Sequence, residues 1–175
     1  GDIFILQGFQ NHYFKDASKV EIVNLMSDPV RNPNLVSNEV KTISGYPALF
    51  ILEPRYRNRM NFKNMLHLNS IDLAKSEYIL NGMLHELANK EPGYELFLKN
   101  KLEEIIIFLS RKYSQISYPK AKSLVRIGKA IAFIENNYHN NIYINQLADM
   151  SFMSIRNFQR VFKDSTSLSF SDYLL

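Results

Sequence analysis

The chain of 175 residues contains no cysteine and no tryptophan. The first absence excludes a disulfide framework and every thiolate metal site, and it fits a reducing cytoplasm, where the protein is expected to reside. Long apolar runs are missing as well. The richest, 105–109, is hemmed in by Glu103, Glu104, Arg111 and Lys112, well short of the roughly 20 apolar residues that cross a bilayer, so no membrane partner is expected. The beginning carries an acid at Asp2 and no basic stretch, which is not the pattern of a secretory leader. No glycine-rich phosphate loop, no Ser/His/Asp set and no internal repeat is legible, and His67, His85 and His139 stand isolated. No enzyme, cofactor or metal chemistry is therefore expected.

What the chain does have is apolar and basic. Hydrophobic residues make up 46%, with 12 Phe and 10 Tyr, enough to build real cores. The formal charge is +4, and residues 119–175 carry seven Lys/Arg against four Asp/Glu, whereas residues 1–118 carry fourteen against thirteen. A basic excess gathered at one end is the footprint of a polyanion binder.

Up to residue 52 the pattern reads as β: a short apolar run at 3–6, a stretch rich in branched residues at 20–26, and turn residues Pro29, Asn32, Pro33 and Asn34 between. Residues 48–52 fit either a last strand or the start of a helix stopped by Pro54. The run Arg55, Tyr56, Arg57, Arg59 reads as a solvated connecting loop, with anion binding the sharper alternative. Beyond it, Ser70 and Asp72 offer a helix start, and Leu73, Tyr78, Leu80, Leu84 and Leu87 give helical spacing up to Pro92 and Gly93. Leu98, Leu102, Ile105, Ile106, Leu109 and Tyr113 mark a second helix, so 67–116 reads as an antiparallel hairpin. Its stripe either pairs with a second subunit or covers the chain's own β domain. Residues 117–122 read as a linker. Leu124, Ile127, Ile131, Ile134 and Tyr138 then line a helix, a short helix follows with Asn145 as its cap, and Ser154 caps a third.

That third helix carries the chemistry. Ile155, Phe158, Val161 and Phe162 form a docking face, while Arg156, Asn157, Gln159, Arg160 and Lys163 project elsewhere. Arginine can donate a fork of hydrogen bonds to guanine O6 and N7, and glutamine can pair with adenine N6 and N7, so these side chains suit readout of a major groove. An ordinary solvated basic helix would hold the same residue types.

The stretch 127–175 resembles the first helix-turn-helix of AraC/XylS transcription regulators, on Leu147, Ala148, Ser154, Phe158, Gln159, Arg160, Phe162, Lys163, Ser169, Tyr173 and Leu174. The resemblance implies that Arg156, Gln159 and Arg160 face DNA bases, and that Ser154, Asn157 and Lys163 lie along the DNA backbone. Phe152 stands where the family often has Gly in the turn, Ser167 where it has Gly, and Phe170 where it has Pro. If Phe152 takes a positive φ it bears a strain that Gly would not. The family's DNA-binding unit has a second such motif, which would follow Leu175.

Gly1, Asp2 and His12 also match a motif of cupin barrels, G-x5-P-x-G-x2-H-x3-N, with Gln7, Phe9 and Asp16 standing for its Pro, second Gly and Asn. AraC-type sensors hold their effector in such a barrel, whose first strands would precede Gly1. The expected class is therefore α+β: a partial cupin-like β domain at 1–66, a helical hairpin at 67–116, a linker at 117–122 and an all-α helix-turn-helix segment at 123–175. His12 and Tyr46 are the candidates for contact with an effector. Without a His-x-His, His12 reads as a hydrogen-bonded barrel histidine rather than a metal ligand. The function these resemblances imply is that of a homodimeric transcription activator that binds double-stranded DNA under the control of a small molecule such as a sugar, with RNA polymerase a further candidate partner. The alternative is a cupin-fold, metal-dependent enzyme acting on a small molecule.

Overall fold

Helix-forming spacing governs far more of the chain than the β reading allows. The computed structural model describes residues 1–8, 18–28, 31–60 and 66–174. In chain order the elements are β1 (Asp2–Ile3), α1 (Asn38–Lys41), a π-helical segment (Pro47–Leu52) that runs straight into α2 (Glu53–Met60), β2 (Leu66–His67), α3 (Ser70–Asn89), α4 (Tyr94–Ser114), α5 (Pro119–Asn137), α6 (Ile144–Met150), α7 (Ile155–Thr166) and α8 (Phe170–Tyr173). The strands pair antiparallel, Asp2 opposite His67 and Ile3 opposite Leu66, and they form the one sheet among the described residues. The α+β expectation with a cupin-like domain at 1–66 does not hold; the described chain is close to all-α. Val40, Ala48, Leu49 and Leu52 are buried on helical turns, not on alternate positions of a pleated face. The branched stretch at 20–26 enters no sheet, and Val20, Ile22, Val23, Leu25 and Met26 are exposed; a strand is stable only with neighbours to pair with. His12, Phe9 and Asp16 of the cupin-like motif lie outside the described residues.

Pro54 does not stop the helix. A proline inside an α-helix has no N–H for the carbonyl four residues back, here Phe50, and its ring crowds that oxygen. The wider π turns before it change the return, with the Glu53 N–H donating to the Ala48 carbonyl five residues back. The Phe50 carbonyl accepts from the Gln7 side-chain amide, which stitches the N-terminal stretch to this helix. Arg55 and Tyr56 therefore sit on α2, not on a loop; the side chains of Arg57 and Arg59 lie outside the described set.

Helices α3 and α4 form a hairpin. Its first cap is Asn69, whose Oδ1 accepts from the Asp72 N–H at 2.9 Å, one residue ahead of the expected Ser70. The buried face of α3 is Ser76, Ile79 and Met83, whereas Tyr78, Leu84 and Leu87 are exposed. On α4 the expected stripe is the buried one, Leu102, Ile105, Ile106, Leu109 and Tyr113, with Leu98 half-buried.

Residues 119–122, read as linker, are the first turn of α5, with Pro119 at the position where a missing N–H costs nothing. Leu124, Ile127, Ile131 and Ile134 of α5 are buried, and Tyr138 is exposed. The core continues from the π segment through α4 and α5 into α7. Two glycines permit this. A Cβ on Gly128 would lie 2.5 Å from the Ser44 carbonyl oxygen and 3.1 Å from the Ala48 nitrogen, and one on Gly45 would overlap the Ser110 carbonyl. Only a bare backbone allows helices to approach so closely.

Candidate nucleic-acid interface

The C-terminal helices are closed by short-range chemistry. Helix α6 starts after Tyr143 with no side-chain cap, so Asn145 does not serve as one. It ends at a turn in which the Phe152 N–H donates to the Asp149 carbonyl at 3.0 Å and the Met153 N–H to the Ala148 carbonyl at 2.9 Å. Ser151 is buried, and its Oγ donates to the Arg126 carbonyl of α5 at 3.2 Å, tying the turn to the helix behind it. Ser154 then caps α7: its Oγ accepts from the Asn157 N–H at 3.3 Å, and the hydroxyl hydrogen is left to donate outward.

Helix α7 has two unlike sides. Phe158 and Phe162 are 0% exposed, tilted against each other at 5.4 Å. Phe162 also takes Phe170 and Tyr173 edge-on, at 6.4 and 5.4 Å. Val161 is half-buried and Ile155 exposed, so the docking face is narrower than the expected set of four. The other side presents Arg156, Gln159, Arg160 and Lys163 to solvent, with Asn157 half-buried beside them. Arg160 is steered along the helix: one guanidinium nitrogen donates to Asn157 Oδ1 at 3.0 Å and another lies 3.5 Å from Asp164 Oδ2. Both contacts are at the surface and worth little, so they pre-orient the side chain without locking it away. Ser154, Arg156, Asn157 and Arg160 together line an open depression at the start of the helix. Of the six residues expected to meet DNA, five are thus on α7 and the sixth, Ser154, is its cap.

The far end of α7 is set by Ser167, whose φ of 74° closes the helix, and by Ser169, whose Oγ accepts from the Asp172 N–H at 3.1 Å to start α8. Tyr173 points its hydroxyl at Glu135 Oε1, 3.2 Å away. Burial first, then the neighbouring carboxylate, pushes the Tyr173 phenol up to about 12.

Of the two residues expected to contact an effector, His12 lies outside the described residues. Tyr46 stacks on Phe50 at 5.1 Å and packs against the core, and burial raises its phenol above the usual range. Among the described residues no group of His, Asp and Glu has the makings of a metal site, and no described helix is long and apolar enough to cross a membrane. Residues that sequence reading passed over are Lys122, Arg126 and Lys129, a basic stripe on the outer side of α5. Their spacing of four and three residues was the available signal. No protein-family model matches the chain, nor does any curated protein or any solved structure.

Proposed function

We propose that α6, the turn at 151–153 and α7 form a reading head for double-stranded DNA, and that the protein acts in transcription. The observation that carries this is the division of α7. Its back is sealed at Phe158 and Phe162, while Arg156, Gln159, Arg160 and Lys163 are exposed on the side that would enter a major groove. Arg156, Gln159 and Arg160 supply hydrogen bonds to base edges. Ser154, Asn157 and Lys163 supply donors to the flanking phosphates.

The three departures from the AraC/XylS pattern support the same reading from the backbone. Phe152 and Ser167 stand where that family has Gly, and their φ angles are 53° and 74°, the region that favours glycine. Phe170 stands where the family has Pro, and it is the first residue of α8 after the Ser169 cap, the position proline fits best. The side chains differ, yet the backbone keeps the conformations for which those residues are suited. Control by a small molecule and dimerisation rest on the resemblance alone.

The test is binding to duplex DNA selected from a random pool, at fixed salt. Arg160→Ala is expected to lose about 1–3 kcal/mol on the selected site and to relax specificity at one base pair. Lys163→Ala is expected to weaken binding to every duplex and to reduce the slope of log affinity against log salt by about 1. If both variants bind like the parent, α7 is not the reading element.

A further inference from the structure

A second basic feature adjoins α7. Lys122, Arg126 and Lys129 follow one another at four and three residues along α5 and line an open groove. Its opposite wall is the connection between α4 and α5, with Gln115, Ile116 and Ser117, and its rim is Phe152. Among the described residues no carboxylate lines this groove, and none of the three cations forms an ion pair. Phe152 is 76% exposed and stands two residues before Ser154, so the groove opens beside the capped start of the reading helix.

From these observations we infer that the α5 groove is a clamp for the DNA backbone, holding the phosphates of the strand that runs past the N-terminal end of α7. The inference rests on the DNA-reading assignment of α7 and extends it to a second element. Three cations over seven residues of helix cover about 10 Å. That is too long an array for one small anion, and it suits a strand carrying a phosphate every 3.4 Å or so along the duplex axis. Gln115 and Ser117 on the facing wall add uncharged donors of the kind that phosphate oxygens accept from. The Phe152 ring at the rim offers an apolar surface to a deoxyribose. The Ser151 bond to the Arg126 carbonyl keeps groove and reading helix in fixed relation, so a strand held by one is positioned for the other.

The experiment measures binding of a fluorescently labelled random-sequence duplex across a salt series, and of a duplex selected by the parent protein. The variants are Lys122→Gln/Arg126→Gln/Lys129→Gln, the matched control Lys19→Gln/Lys41→Gln/Lys90→Gln, and Arg156→Ala/Arg160→Ala. The groove triple is expected to weaken both duplexes on the order of 100-fold at 0.1 M salt and to lower the salt slope by about 2–3, with the preference for the selected site unchanged. The control triple should leave the slope as it is. If the groove triple keeps the parent slope while Arg156→Ala/Arg160→Ala loses the preference, the clamp is overturned and the reading helix stands. If the parent binds no duplex, both fall. Saturable displacement of the duplex by inorganic phosphate at constant ionic strength, lost in the groove triple, would reassign the groove to a small anion. Thermal melts of all variants confirm folding; the substituted groove side chains are exposed.

Discussion

From the end of α6 to the start of α8 the helix ends are closed by residues a few positions away: Asn157 by Ser154, Asp172 by Ser169, the turn at Phe152 by Asp149. Residues 31–60 find their partners across the chain. The Ser37 N–H donates to Glu103 Oε1 at 2.6 Å, Gly45 abuts Ser110, and Ser44 abuts Gly128. The first region is specified by local chemistry and the second by the surfaces it lands on. Local closure yields a firm platform for a few exposed side chains. Distant closure makes the second region dependent on α4 and α5 being in place.

Four substitutions or conditions bear on this contrast, taken from the largest expected effect downward. Phe162→Ala removes the ring shared by Phe158, Phe170 and Tyr173, and is expected to cost about 3–5 kcal/mol in urea unfolding. A loss below 1 kcal/mol would mean that the C-terminal helices do not depend on this cluster. Gly128→Ala forces apart two stretches of backbone, which cannot yield as a flexible side chain does, and is expected to cost about 1–3 kcal/mol. Hydrogen exchange should locate the loss in 38–56 as well as in α5; an effect confined to α5 would show that the early residues hold themselves. Ser154→Ala should cost about 1 kcal/mol, against a few tenths for Ser154→Gly. Equal effects would deny the cap its role.

The smallest effect concerns alkali. The folded state keeps the Tyr173 proton to about pH 12, whereas the unfolded chain releases it near pH 10. The stabilisation is complete below pH 10 and is lost as pH rises through that window. The free energy of unfolding, followed from pH 9 to 12, should therefore fall less steeply for Tyr173→Phe than for the parent.

The same contrast explains which parts were legible in the sequence. Periodicity is local, and it picked out the buried stripes of α4 and α5 and the cap at Ser154. On α3 it failed, because Leu84 and Leu87 have the right spacing but face solvent. The β reading of 20–26 rested on residue type alone, and whether such a stretch becomes a strand is decided by partners elsewhere. Gly45 and Gly128 were invisible for a related reason: nothing near them in sequence tells which backbone will press against them. Lys122, Arg126 and Lys129 were counted as net charge when their spacing was the information.

The wide turns at Pro47–Leu52 have a consequence for register. A π segment holds one residue more than an α-helix needs over the same turns. If these six residues tightened into α turns without losing one, everything beyond them would rotate by about 100°. The side of α2 that rests on α7 would then turn away from it, and Pro54 would leave the place where Gln7 meets the Phe50 carbonyl. The π turns absorb the extra residue in place, so a related chain one residue shorter across this segment should hold α turns there and keep the same side of α2 against α7.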